Sequence, residues 1–224
     1  VAQPLVRTGA LQLLQMPLQL SNSTFPRMHP VWAQVLADIV REHSRGGQSS
    51  DSDIDGEGEN EDVGDVRGDR NVVVAVDEVL LQEFWTSIVE GVLVNSTHER
   101  RWVAFQLVEQ LVQKLPAQCL QVVLSRPLLR CLINNLQKES TYLHSQARHT
   151  LATVVRAALQ SMDKRTVVVS SLLMNGDMHF DARLKLNTVS RLIAGMDGAS
   201  LQKHVEFLIG LVCSGGESAA MGVA

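Results

Sequence analysis

Apolar residues return at helical spacing in segment after segment of this chain, and that periodicity constrains the fold more than any other feature. In HPVWAQVLADIVREH, Val31, Val35, Leu36 and Ile39 fall on one stripe, with Pro30 at the helix entry. In DEVLLQEFWTSIVEGVL the stripe is Leu80, Phe84, Ile88 and Leu93, and Asp77 is a good N-cap. Ala104, Leu107, Val108, Leu111 and Leu115 form the next stripe, which ends before Pro116. Further segments follow from PAQCLQVVLS to SLQKHVEFLIGLVC, with Pro127 in a first turn and Asp163, Asp181 and Ser200 as caps.

The spacing predicts an all-α chain of roughly eight to ten helices joined by short links. Helical pairs return about every 40 residues, as HEAT and armadillo units do, so the expected architecture is an armadillo/HEAT-like α-solenoid. VVVAV (72–76) and TVVVSSLL (166–173) have strand propensity, but each stands alone with no turn signal or partner strand nearby. Helix packing is expected to override that propensity in both. Aromatics make up only 4% of the chain, so Leu, Val, Ile and Ala must build the core. Trp32, Phe84, Trp85, Trp102 and Phe105 are expected to be buried and to lock neighbouring repeats.

One stretch breaks the pattern. Residues 48–70 hold nine acids against two bases, a net charge of −7, which leaves the rest of the chain at +3. With many glycines and almost no apolar side chains, this insert cannot bury enough surface to offset the entropy of ordering. The chain therefore divides into N-terminal helices (1–45), a disordered acidic loop (46–71), a main helical segment (72–214) and a weak or cut tail (215–224). Its start at Val1 suggests a piece of something longer. Ser50 and Ser52 each have an aspartate three residues on, a pattern that acid-directed kinases favour. The insert is suited to bind basic proteins or to shield a basic surface of the same chain.

The sequence holds no recognisable catalytic constellation. His98-Glu99 begins like the zinc signature H-E-x-x-H, but Trp102 stands where the second histidine is required. Ser96 and Glu99 instead have the spacing of a capping box, which makes the charged knot at 98–101 a helix start. Cys119, Cys131 and Cys213 lie in apolar helical context, form no CxxC pair, and read as buried thiols in a reducing compartment. There is no nucleophile elbow and no phosphate-binding glycine loop. The sequence implies no metal, cofactor, membrane span or small-molecule substrate.

Residues 94–214 carry fourteen Lys and Arg against eight Asp and Glu. Arg100, Arg101, Lys138, His144, Arg148, Arg156, Lys164, Arg165, Arg183 and Lys185 are candidate contacts for RNA or DNA phosphates along a basic ridge. The aromatic platforms of single-strand binders are missing.

PRMHPVW (26–32), LQEFW with VEGVL (81–93), STHERRWVAFQL (96–107) and RPLLRCLINNLQKESTYLHSQAR (126–148) occur in an order that resembles the Myb-binding protein 1A / DNA polymerase phi family. The resemblance covers about residues 30–195. It implies an internal piece of a long armadillo-like protein of the nucleus and nucleolus. It further implies a role in ribosomal RNA synthesis and ribosome assembly, with ribosome-assembly factors or transcription regulators as partners. The polymerase in the family's name prompts a check of Asp51-Ser52-Asp53, since two-metal chemistry needs rigidly held carboxylates. Those aspartates lie in the acidic loop with no strands to fix them. The expectation is a non-enzymatic scaffold, with a sequence-independent RNA/DNA-binding module and a transcription-factor coregulator as alternatives. A transport-type solenoid that grips basic peptides is disfavoured by the basic body.

Overall fold

The structure, a computed structural model, describes residues 30–44 and 72–220. The N-terminal segment and the acidic insert, with Ser50, Ser52 and Asp51-Ser52-Asp53, lie outside the described residues. Within them the chain is mostly helical. Helix α1 (Pro30–Ile39) leads into strand β1 (Val40–Ser44), and β2 (Val72–Val76) leads into α2 (Glu78–Phe84). Helix α2 continues without a break into a π-helical stretch, Trp85–Val94. Then come α3 (His98–Leu111), α4 (Ala117–Val123), α5 (Arg126–Leu136), α6 (His144–Ala158) and α7 (Met162–Ser171), the last continued by a π-helical turn, Leu172–Gly176. Helices α8 (Phe180–Leu184), α9 (Thr188–Ala194) and α10 (Gly198–Ala220) complete the order. Among the described residues no helix is long and apolar enough to cross a membrane.

The strand propensity of VVVAV is realised, contrary to expectation. It pairs antiparallel with β1, Val40 opposite Val76 and Ser44 opposite Val72. Asp77 N–H extends the ladder by donating to Ile39 C=O at 3.0 Å. The partner strand stands across the acidic stretch, so no local turn could announce it, and a long connection adds little closure cost. TVVVSSLL is helical as expected, and buries Val168, Val169, Leu172 and Leu173.

The helices pack in two sets. In one, α2 lies on α4 and α4 on α7, while the π-helical continuation of α2 lies on α5, and α5 on that of α7. Three two-part helices thus run side by side with first halves and second halves matched. Their junctions are tied directly. Trp85 Nε1 donates to Ser125 Oγ at 3.4 Å, and Asn175 Nδ2 donates to Leu124 C=O at 3.0 Å. In the other set α3 packs on α6, and α6 touches α9. Glu109 on α3 joins the first pair. Its carboxylate accepts from Gln146 Nε2 at 2.8 Å and from Thr150 Oγ1 at 2.7 Å, both on α6.

The predicted apolar stripes form the core. Leu80, Phe84, Ile88 and Leu93 are buried, as are Ala104, Leu107, Val108, Leu111 and Leu115. Trp32 and Phe84 meet edge to face with ring centroids 6.2 Å apart. Trp102 departs from expectation: it is half-buried at the margin of the core, while Trp32, Trp85 and Phe105 are fully enclosed. Three caps also differ. Ser161, not Asp163, caps α7; Asp197, not Ser200, caps α10; Asp181 lies inside α8 and caps α9. Serine and aspartate are near-equal caps, so the exact helix start is poorly fixed by residue type alone.

Two outcomes follow. Trp85→Ala should cost about 3–5 kcal/mol and Trp102→Ala clearly less, measured by chemical denaturation; equal costs would contradict the burial difference. His204 is buried in α10, and burial pushes its pKa below the ordinary histidine value. The unfolded chain then binds the proton more readily, so stability present above about pH 6.5 is lost as pH falls. The carboxylates held low, Glu99, Asp177 and Asp197, act only at more acidic pH. Melting temperature should therefore fall between pH 7 and 5.5, and His204→Leu should flatten that slope.

Candidate functional site

The charged knot at the start of α3 is structural, although not through the expected capping box. The N-cap is Thr97, whose side chain makes no capping bond. Ser96 Oγ instead accepts from Arg100 Nη1 at 3.1 Å, and Arg101 Nε donates to Val94 C=O at 3.1 Å. The Glu99 carboxyl is held low by its own backbone N–H first and by the Thr97 hydroxyl next. Both arginines thus tie the 95–97 link to the helix it precedes.

Two more of the candidate cations are committed to packing. Lys164 Nζ donates to Gln113 C=O at 3.1 Å and to Gln160 Oε1 at 2.7 Å, and burial lowers its pKa. Arg165 is buried and donates to Gly195 C=O. A Cβ at Gly195 would meet Arg165 Nη1 at 2.8 Å, so any larger residue there would push the guanidinium aside. Lys138 and Arg156 are exposed on the surface.

The remaining four candidates converge. His144, Arg148, Arg183 and Lys185 line one cavity of about 780 Å³ between α6 and the α8–α9 corner. Arg191 joins them, and Glu139 is the only acid in the lining. The floor is apolar, with Leu151, Val155, Leu184, Leu186 and Leu192. Arg191 was not among the sequence candidates: helical spacing through DARLKLNTVSRLIAGM gives no sign that the chain turns back at 185–187 and brings Arg191 to this cavity. Asn187 before Thr188, a capping residue type in mid-segment, was the available sign of a break.

The corner that carries the rim is rigidly built. The Asp181 carboxylate accepts from Val189 N–H at 3.0 Å, Ser190 N–H at 2.9 Å and the Ser190 hydroxyl at 2.9 Å. Leu186 N–H donates to Asp181 C=O at 2.9 Å. Between them Lys185 closes α8 in the left-handed conformation, φ 55° and ψ 43°. It is the one non-glycine residue with positive φ among the described residues, at a cost of about 1 kcal/mol relative to glycine. Arg183 pairs with Asp177 and, with the backbone N–H of His179, holds that carboxyl below its usual range. His144 Nδ1 lies 3.2 Å from Asn135 C=O. Arg148, Lys185 and Arg191 have no ion-pair partner among the described residues.

A second, smaller depression of about 400 Å³ gathers Arg101, Arg126 and Arg130 at the start of α5. Among the described residues no group of three or more His, Cys, Asp or Glu side chains is placed to hold a metal ion.

Residues 12–222 match the family model described as DNA polymerase phi, and the chain belongs to that family. It is 24% identical over 177 residues to the rDNA transcriptional regulator POL5 of Saccharomyces cerevisiae, a match covering 75% of this chain and 16% of that protein. It is 23% identical over 133 residues to the rDNA transcriptional regulator pol5 of Schizosaccharomyces pombe, covering 58% of this chain and 14% of that protein. The chain thus corresponds to about a sixth of the length of these relatives. No solved structure matches it significantly.

The thiols do not share one environment, as the sequence reading expected. Cys119 is buried, donates to Glu78 Oε1 at 3.7 Å, and is pushed up to about 11, by burial first and the Glu78 charge next. Cys131 is half-buried and raised by burial, whereas Cys213 is exposed. An alkylating reagent at pH 8 should modify Cys213 first and Cys119 only on unfolding, since the thiolate is the reactive form. Peptide mass mapping over time checks the order, and early loss of Cys119 would contradict its burial.

Proposed function

We propose that this chain is a solenoid segment of a non-enzymatic scaffold that supports rDNA transcription in the nucleus, at the nucleolus. The observation that carries the reading is the kinship, over three quarters of the chain, with a protein named an rDNA transcriptional regulator. The helix packing favours a solenoid, because α3 lies on α6 and α4 on α7, each on its counterpart in the next pair, and α6 also lies on its chain neighbours α5 and α7. Such a stack offers a long, stiff surface on which proteins of rDNA transcription and ribosome assembly are held together. The non-enzymatic part rests on the absence of a recognisable catalytic motif in the sequence and on the regulator names of the relatives, against the polymerase in the family's name.

A second reading is favoured by one observation, the cations Arg148, Lys185 and Arg191 with no ion-pair partner among the described residues: direct, sequence-independent contact with RNA or DNA phosphates. Binding to a transcription factor as a coregulator is a form of the first reading.

Rapid depletion of the full-length protein, followed by pulse labelling of nascent ribosomal RNA, tests the function. Synthesis should fall within one labelling period and recover on re-expression; unchanged synthesis would sink the rDNA reading. Affinity purification with and without RNase then separates the two modes. Partners held by protein contacts survive the nuclease, and partners held through nucleic acid are released.

A further inference from the structure

The long helices of the second set, α3 and α6, have 14 and 15 residues, but α9, next in line, has only 7. A third member half as long as the second is about two turns too short to cover α6 along its length. The uncovered face is apolar. Ala152, Val155 and Leu159 succeed one another along it above the buried Leu151, and Leu159 is 55% exposed. The 780 Å³ cavity lies along this face, rimmed by Arg148 from α6 and by Lys185 and Arg191 from the α8–α9 corner.

We propose that this cavity is a docking groove for an acidic amphipathic helix of a partner protein, seated where a full-length third helix would lie. Charge and shape together select that occupant. An apolar stripe on the incoming helix would cover Val155, Leu159, Leu184 and Leu186, which are only partly buried or exposed, as helix-in-groove recognition requires. Glutamates or aspartates flanking the stripe would meet Arg148, Lys185 and Arg191, which have no ion-pair partner among the described residues. Nucleic acid fits less well: its phosphates have no use for an apolar floor, and no Phe, Tyr or Trp ring lines the cavity as a stacking platform for a base. Lys185 adds an independent sign. Glycine or asparagine would hold the left-handed corner at lower backbone cost, yet a lysine occupies it and places its charge at the rim.

The inference deepens the protein-contact reading and rests on it. The test uses the full chain and a fluorescent synthetic helix of about 15 residues, with leucines on one face and glutamates beside them, read by anisotropy at physiological salt. The peptide should bind, and versions with leucine replaced by serine or glutamate by glutamine should each bind about tenfold more weakly. The pair Arg148→Gln and Arg191→Gln should weaken binding by about tenfold, and Ala152→Glu should do the same. Lys185→Asn should weaken binding while the melting temperature holds or rises, which separates loss of the contact from loss of the fold. Equal binding by wild type and variants, or no binding, would overturn the proposal. So would a single-stranded RNA that binds more tightly than the peptide and is lost with the same variants. Because the assay measures binding in isolation, its failure removes the groove and leaves the nascent-RNA result to judge the rDNA reading.

Discussion

The register between broken helices is the constraint on which the rest of the molecule depends. Helix α4 ends at a buried residue, Leu124, whose carbonyl lies in a final turn where no later amide of the same helix can reach it. A buried helix end without a partner is costly, and Asn175 supplies the partner from the neighbouring two-part helix. Asn175 sits in the π-helical turn Leu172–Gly176, where a wider turn replaces the α-helical one. On the opposite side Ser125, the first residue past the same break, accepts from the indole of Trp85 at the start of the other π-helical stretch. The breaks are therefore matched to one another across the set, and the two halves of each helix are fixed to the corresponding halves of the next.

The second set has no such breaks and relies on Glu109. That carboxylate is only 12% exposed and lies 3.6 Å from His149 Nε2, beside the two hydrogen bonds it receives from α6. Charge-assisted bonds to a mostly buried carboxylate hold α3 on α6 with a specificity that leucine packing alone does not give. No equivalent bond joins α6 to α9 among those described between these helices. There the short α9 is held by Asp181 to the corner before it rather than to the face of α6, and the cavity opens in consequence.

How much of this was legible in the sequence depended on range. The stripes of α2, α3 and the segments after them were readable because helical periodicity is local, and their burial follows from it. The pairing of VVVAV with VREHS was not, since its two halves flank the acidic stretch and no turn residue joins them. Trp102 was misplaced for a related reason: periodicity says which face a residue shares, not whether that face is fully covered. The candidate cations were legible as charges and illegible as a site. His144, Arg148, Arg183 and Lys185 come together only because the chain turns at Lys185, and that left-handed turn is built on a residue type that does not advertise it.

Cations in this chain fall into two physical classes, and the division bears on function. Arg100, Arg101, Lys164 and Arg165 spend hydrogen bonds on acceptors of the same chain, three of them on backbone carbonyls, so their loss would leave those acceptors bare. Arg148, Lys185 and Arg191 satisfy no side-chain acceptor among the described residues, and solvated charges of that kind contribute little to stability. Packing therefore does not account for their gathering around an apolar floor, nor for a lysine at a backbone position better suited to glycine. An incoming surface with apolar and acidic groups in alternation accounts for both, because it would cover the floor and pair the rim in one step.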